Sequence, residues 1–219
     1  GRKSGFSILD EQDARAILKD ILFSDSDSTD ALLDIAQRQI SDWKNQCTTP
    51  EQAAELFGSS DKTGPQELRI LELYKRYQRA LASYNAVDFD DLIALPIAIL
   101  KQDEQALQRW RSRIRYLLVD EYQDTNISQY ELVKLLVGDR SGLCVVGDDD
   151  QSIYTWRGAN PENLKQLPVD FPGLKIVKLQ QNYRSTNRIL RSANQLIANN
   201  SHLFEKTLWS EKGLGDVIQ

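Results

Sequence analysis

Three short apolar runs in the second half of the sequence constrain its fold most. They are rich in Val, Ile and Leu and occupy residues 114–120, 143–148 and 174–179. A helix-like segment at 128–138 separates the first two runs, and another follows from about residue 185. Continuous apolar runs are typical of strands covered on both faces, and alternation of strand and helix is typical of parallel sheets. The sequence therefore predicts an α/β fold in which the three runs are parallel strands.

The first hundred residues predict helices instead. Apolar residues recur there at intervals of three and four, a period that places them on one face of a helix. Thr49 and Gln52 can form a capping box around Pro50, which suits a first helical position. In the second half, Ser128 is expected to cap a helix that Gly138 ends. The apolar period predicts helices around residues 14–22, 32–43, 66–84 and 88–100.

Composition narrows the class of protein. The chain is 41% hydrophobic and 27% charged, and it has no apolar run long enough to span a membrane, so we expect a cytoplasmic globular protein. Cys47 and Cys144 lie far apart, which argues against a zinc or disulfide framework. A net charge of −5 argues against broad coating of nucleic acid but permits a local groove. The chain begins at Gly1 and has no methionine, so we expect an excised piece.

Carboxylates follow two of the predicted strands. Asp120 and Glu121 end the first, and Asp148–Asp150 follow the second. Ligands of open α/β sheets lie outside the carboxyl ends of the strands, so these acids should converge on one crevice. Asp120 could hold a magnesium ion while Glu121 deprotonates a water, a pairing suited to nucleotide hydrolysis. The alternative is that the acids only cap helices or solvate loop ends.

The segment "VVGDDDQSIYTWRGA" at 145–159 adds an amide and two aromatic residues. Gln151 could contact a terminal phosphate or the attacking water. Tyr154, Trp156 and Arg157 are suited to stacking on bases and binding phosphate. The alternative for the two aromatic residues is ordinary packing in a core.

The segment "LQQNYRST" at 179–186 places an arginine after the third apolar run. Arg184 could reach a phosphate and stabilise charge in a transition state, and Tyr183 could stack on a base. The alternative for Arg184 is a surface ion pair.

The segments at 145–159 and 179–186, together with "LLVDEYQDTN" at 117–126 and the upstream "VDFDDLI" at 87–93, resemble the superfamily 1 DNA helicases of the Rep/UvrD/PcrA group. The segment at 147–159 most resembles the Rep branch. The resemblance implies an ATP-dependent 3′-to-5′ DNA helicase that couples ATP hydrolysis to translocation and unwinding. It implies ATP as substrate, Mg²⁺ as cofactor, and binding to single-stranded DNA and to its junctions with duplex DNA. It also implies a role in replication or repair at the bacterial nucleoid.

The same resemblance assigns roles by position. Asp120 corresponds to the magnesium-associated acid of the ATP site and Glu121 to the catalytic base. Gln151 corresponds to the residue that senses the terminal phosphate, Tyr183 to the one that stacks near adenine, and Arg184 to the arginine finger. The residues that correspond to DNA-facing positions are Tyr154, Trp156 and Arg157.

One departure from the family pattern is large. No G-x-x-x-x-G-K-[ST] motif, the phosphate-binding P-loop, occurs in the 219 residues. We therefore expect an internal fragment that is inactive alone. The implied fold is a helical subdomain followed by part of a RecA-like, parallel-sheet P-loop NTPase core. Residues 1–101 would end the helical insertion, 102–181 would return to the first core domain, and 182–219 would open the second.

Two other functions compete with this one. A metal-dependent nuclease or phosphatase could use the carboxylates of Asp120, Glu121 and Asp148–Asp150 to hold two metals. A non-catalytic DNA-binding module is the third reading, which the acidic balance disfavours. The aromatic residues beside an arginine favour the helicase over a phosphatase, because a phosphatase has no need of base stacking.

Overall fold

The computed structural model describes residues 2–23, 29–57, 64–140 and 142–217. The chain forms two compact units and passes between them more than once. The first unit comprises Gly1–Leu117 and Asn126–Gly142, and the second comprises Leu118–Thr125 and Leu143–Gln219. The expected domain boundaries after residues 101 and 181 stay predictions.

The first unit is built mainly of helices, as its apolar period predicts. Its seven helices in the described residues are α1 (Glu11–Phe23), α2 (Asp30–Asn45), α3 (Pro50–Phe57), α4 (Pro65–Ser83), α5 (Asp91–Gln102), α6 (Glu104–Arg113) and α7 (Ile127–Val137). Two strands that the periodicity did not reveal, β1 (Ser7–Leu9) and β2 (Ala86–Asp88), pair in parallel. The polar segment "GSSDKTGP" at 58–65 predicts a loop, and residues 58–63 of it lie outside the described residues.

Local hydrogen bonds explain where several helices begin. Thr49 and Gln52 form the expected capping box, with Thr49 N donating to Gln52 Oε1 at 2.9 Å and Gln52 N to Thr49 Oγ1 at 3.3 Å. The expected Ser128 cap of α7 is wrong. Asn126 is the cap, accepting the Gln129 N–H at 2.8 Å, because its backbone is still extended while Ile127 already begins the helix.

The core of the first unit contains a buried ion cluster at Lys44. Leu18, Leu33, Tyr74 and Leu81 are among its buried apolar side chains. Lys44 is only 2% exposed, and its Nζ donates to Asp88 Oδ2 at 2.6 Å and lies 2.9 Å from Asp91 Oδ1. Because a buried charge needs a partner, these contacts join α2 to the end of β2 and the start of α5.

The second sheet has two strands, β3 (Leu117–Val119) and β4 (Leu143–Val145). Leu117 N donates to Gly142 O at 2.7 Å and Val146 N to Val119 O at 2.8 Å, so the strands run in the same direction. The prediction that both faces are covered is wrong for Leu118, which is 74% exposed. A sheet of two strands with little packed against it leaves its outward side chains in solvent.

The third expected strand is absent among the described residues. Residues 174–179 form no strand, and Val177 and Leu179 are exposed. A strand needs the backbone of a neighbour, and nearby pairing is limited to one isolated bridge between Gln181 and Trp209. The second unit also contains α8 (Glu162–Asp170), which the sequence did not reveal, and α9 (Asn187–Ile197), which it did.

The observed class is therefore mixed α and β, with parallel pairing in both small sheets, and this part of the prediction is confirmed. None of the helices in the described residues has the length and apolar character required to cross a membrane.

Candidate functional site

The ends of β3 and β4 lie side by side in the second unit. Val146 N donates to Val119 O at 2.8 Å, and Tyr122 N donates to Val146 O at 2.9 Å. Residues 120–125, which follow β3, are called the first loop. Residues 146–151, which follow β4, are called the second loop. The structure thus brings the two acidic segments together at one edge, as parallel strands require.

The first loop begins with a backbone conformation that is rare for its residue type. Glu121 has φ of 48° and ψ of 45°, in the left-handed region that a non-glycine residue seldom adopts. A 3-10 turn at Tyr122–Asp124 follows, and the buried Tyr122 anchors it. Such conformations cluster at functional sites, where the surrounding structure holds them in place. The conformation therefore marks Glu121 as a candidate functional residue.

Asp120 is the residue expected to hold a magnesium ion. Its side chain is exposed, and its Oδ1 accepts the Glu121 N–H at 3.0 Å. Among the described residues, no hydrogen bond reaches its Oδ2. Magnesium prefers carboxylate and water oxygens and keeps several waters, so an accessible carboxylate of this kind fits it.

Gln123 connects the two loops, and the sequence analysis missed it. Its side chain is 1% exposed, and Nε2 donates to Glu121 Oε2 at 2.7 Å while Oε1 accepts the Asp148 N–H at 3.0 Å. A Cβ at Gly147 would lie 3.0 Å from that Oε1, so glycine leaves the amide its space. The sequence did contain a signal for this role. Gln123 lies between the acids of "DEYQD", and its amide can donate and accept hydrogen bonds at the same time.

The second loop continues this chain of contacts to Gln151. Asp148 Oδ2 accepts from Gln151 Nε2 at 2.7 Å, and its Oδ1 accepts the Asp150 N–H at 3.1 Å. Glu121, Gln123, Asp148 and Gln151 therefore form one connected network. The expected base and the expected phosphate-sensing residue lie at its two ends.

The three carboxylates of the second loop are paired with cationic or polar groups further along the chain. Lys206 Nζ donates to Asp148 Oδ1 and to Asp149 Oδ1, and lies 3.1 Å from Asp150 Oδ2. His202 Nδ1 lies 3.0 Å from Asp150 Oδ1. The sequence analysis missed both residues, because nothing local in the sequence relates them to a loop more than fifty positions earlier.

These contacts set the charge of the loop. Burial acts to raise the pKa of Asp148 and Asp149, but hydrogen bonds, chiefly from Lys206 and Gln151 to Asp148 and from the Leu203 N–H to Asp149, hold both values below the usual range. Burial acts to lower the pKa of Lys206, yet its carboxylate partners raise it well above the ordinary value. Asp148, Asp149 and Lys206 are therefore all charged near neutral pH.

This pairing weakens the alternative of a metal-dependent nuclease or phosphatase. Ligand atoms of Asp149, Asp150 and His202 lie within 4.8 Å of one another, a spacing that a metal could use. However, the Lys206 ammonium lies 3.2 Å from Asp149 Oδ1 and 3.1 Å from Asp150 Oδ2. Because this ammonium already lies beside the carboxylates, it would repel a metal ion bound to them.

The aromatic residues expected to face DNA lie just after the second loop. Trp156 is 73% exposed in a 3-10 turn at Thr155–Arg157, and Tyr154 is also exposed. Asn160 N donates to Thr125 O at 2.9 Å, which ties this segment to the first loop. Core packing, the alternative for Trp156, is wrong because the side chain is largely in solvent. The side chain of Arg157 lies outside what the structure describes.

Tyr183 and Arg184 precede α9 and are both exposed. Tyr183 donates to Gln181 Oε1 at 2.9 Å, and Asn182 Oδ1 accepts the Arg184 N–H at 2.9 Å. In the described part of the chain, no hydrogen bond or ion pair joins the Arg184 side chain to the two loops or to a surface acid. The described residues thus show no contact for a transition-state role of Arg184 and none for a surface ion pair.

Comparison with known proteins finds a matching family model and similar curated proteins. A family model described as "UvrD/REP helicase N-terminal domain" matches residues 1–172. The chain is 52% identical to ATP-dependent DNA helicase Rep of Escherichia coli over 98% of its length, which spans 31% of that relative. It is 41% identical to ATP-dependent DNA helicase PcrA of Staphylococcus epidermidis over its whole length, which spans 30% of that relative. The chain therefore spans about a third of the length of the curated relatives that it matches.

Proposed function

Because the chain belongs to the UvrD/REP helicase family, we propose that it is part of an ATP-dependent DNA helicase. The protein would hydrolyse ATP, move 3′ to 5′ along single-stranded DNA and unwind duplex DNA at junctions. Residues 1–101 would belong to a helical insertion. Residues 102–181 and 182–219 would belong to the first and second RecA-like core domains.

The observation that carries this proposal is the network of Glu121, Gln123, Asp148 and Gln151. It links a carboxylate in a left-handed backbone conformation to an exposed amide through one buried side chain. The exposed Trp156 follows five residues after the amide. A change in the nucleotide bound at Glu121 and Gln151 could therefore be transmitted to DNA at Trp156 through a short, connected segment.

The chemistry follows the residue types. Asp120 would bind Mg²⁺ through water, and the metal when bound would neutralise charge on the phosphates. Glu121 would orient a water and accept its proton, held in place by the Gln123 amide. Gln151 would contact the terminal phosphate or that water.

The remaining residues would bind the base, the phosphate and the DNA. Tyr183 would stack near adenine, and Arg184 would stabilise the transition-state charge. Tyr154 and Trp156 would stack on DNA bases, with Arg157 at the backbone.

The test is Glu121→Gln in a full-length protein that carries this chain together with a P-loop. Glutamine keeps the size of the side chain but cannot accept a proton, so ATP hydrolysis stimulated by single-stranded DNA should fall about 10²–10⁴-fold. Binding of a fluorescent ATP analogue should be retained.

The matched control is Glu162→Gln, since Glu162 is an exposed carboxylate of the same unit that pairs with Lys165 on the surface. It should leave hydrolysis unchanged. Near-normal turnover by the Glu121→Gln protein would show that Glu121 is not the base.

A further inference from the structure

Lys206 contacts all three carboxylates of the second loop. Its ammonium carries three N–H donors and faces one carboxylate each of Asp148, Asp149 and Asp150. Its side chain is 20% exposed, so these ion pairs are partly shielded from solvent. Neighbouring carboxylates repel one another, and the Lys206 ammonium offsets this repulsion within the loop.

Two neighbours of Lys206 reinforce the contact. Leu203 N donates to Asp149 Oδ2 at 2.8 Å, and His202 Nδ1 lies 3.0 Å from Asp150 Oδ1. Residues 202–206, called the covering segment, therefore bind all three acids of the loop.

The Asp148 carboxylate connects Lys206 to Gln151. Its Oδ1 accepts from Lys206, while its Oδ2 accepts from the Gln151 amide at 2.7 Å. One carboxylate is thus held from both sides. A displacement of Lys206 would move or release Asp148, and the Gln151 amide would lose its partner.

The covering segment is also tied to the region around Arg184. Glu205 O accepts from Lys178 Nζ at 2.7 Å. Just after the segment, Leu208 N and O bond the Asn194 side chain of α9 at 3.1 Å and 2.8 Å. Trp209 O accepts the Asn182 N–H at 2.7 Å, and Asn182 in turn holds the Arg184 backbone. Lys206 therefore lies between the second loop and the segment that begins α9.

We propose that Lys206 is a positioning residue for ATP hydrolysis, which holds the second loop so that Gln151 is correctly placed relative to the segment carrying Arg184. This inference rests on the proposed function for its consequence in catalysis. The contact itself can be judged without any activity. Lys206 does not touch the reacting atoms, since it acts through Asp148.

The experiment compares Lys206→Met, Lys206→Arg and Lys165→Met in the full-length protein. Methionine removes the charge and keeps a long unbranched side chain, and arginine keeps the charge. Lys165 pairs with the exposed Glu162 carboxylate and serves as the control. The measurements are kcat and KM for ATP with saturating single-stranded DNA, amide hydrogen exchange of residues 148–152 and 203, and thermal unfolding.

Lys206→Met should lower kcat on the order of ten- to a hundred-fold, because a positioned group displaced by about 1 Å can cost this much. KM for ATP should change less than about threefold, since binding energy from the rest of the nucleotide is retained. Exchange at Asp150, Gln151 and Leu203 should accelerate. Lys206→Arg should restore most of kcat, and Lys165→Met should match the wild type. If Lys206→Met does not fold, Lys206→Gln replaces it with the same expected results.

A normal kcat in Lys206→Met would overturn the proposal, and so would a lowered kcat with unchanged exchange at 148–152. A wild-type protein without ATP turnover would refute the proposed function instead. In that case accelerated exchange in Lys206→Met would still show that Lys206 stabilises the second loop. Unchanged exchange would show that it does not.

Discussion

Replacement of Trp156 by alanine should weaken DNA binding while leaving the fold nearly intact. Trp156 is 73% exposed, so roughly a quarter of its surface is covered by the chain. Truncation of a fully buried tryptophan costs about 3–5 kcal/mol of unfolding free energy, and that fraction corresponds to about 1 kcal/mol. For a chain of this length, the melting temperature should fall by no more than about 2–4 °C.

Trp43 provides the matched control within the same chain. It is 4% exposed, and its ring stacks on that of Tyr74 with centroids 5.7 Å apart. Trp43→Ala should therefore cost the full amount, about 3–5 kcal/mol, and lower the melting temperature by about 6–20 °C. The same substitution at two sites thus separates a packing role from a surface role.

The assay combines two measurements. Thermal unfolding of the chain without DNA follows stability. Fluorescence anisotropy with a labelled oligonucleotide at fixed salt follows binding by the full-length protein. Loss of one stacked base should cost about 1–3 kcal/mol, or about 5- to 150-fold in Kd, with little dependence on base sequence. A large fall in melting temperature together with unaltered Kd for Trp156→Ala would refute the stacking role.

Three further predictions concern the chain itself. With magnesium and single-stranded DNA present, the isolated chain should release no more phosphate from ATP than its Glu121→Gln variant, because its sequence lacks a P-loop. Turnover above the level of that variant would contradict this prediction. Asn126→Ala should lower the free energy of unfolding in urea by about 1–2 kcal/mol, since it removes the cap of α7; an unchanged urea midpoint would show that the cap contributes nothing. Lys44→Met should cost about 3–5 kcal/mol in the same assay, because Asp88 and Asp91 would be left buried without their cation; a neutral or stabilising effect would mean that the two acids find water or protonate.

Much of the local structure could be predicted from the sequence because its causes are local. The apolar period of three and four residues predicts the helices of the first unit, and the capping box of Thr49 and Gln52 predicts one of their starts. The choice between Asn126 and Ser128 as a cap was missed, since both residue types suit the position. Only the observed backbone, extended at Asn126 and helical from Ile127, decides between them.

The strands were predicted less well because a strand depends on its neighbours. The runs containing Leu118 and Val177 are equally apolar, yet only the first pairs with another strand. β1 and β2 are each three residues long and pair across more than seventy positions, which no local pattern reports. Helices satisfy their own backbone groups, whereas strands need partners that the sequence does not identify.

The sequence by itself determined the chemical character of the site. Asp120, Glu121 and Gln151 follow apolar runs, and this order is enough to predict acids and an amide at the ends of adjacent parallel strands. Only the tertiary structure decided how these groups are held. Gln123 bridges the two loops, Lys206 binds the second loop from more than fifty residues away, and Trp156 is exposed rather than buried. These features depend on how the chain brings distant segments together, and many tertiary contacts jointly determine that arrangement.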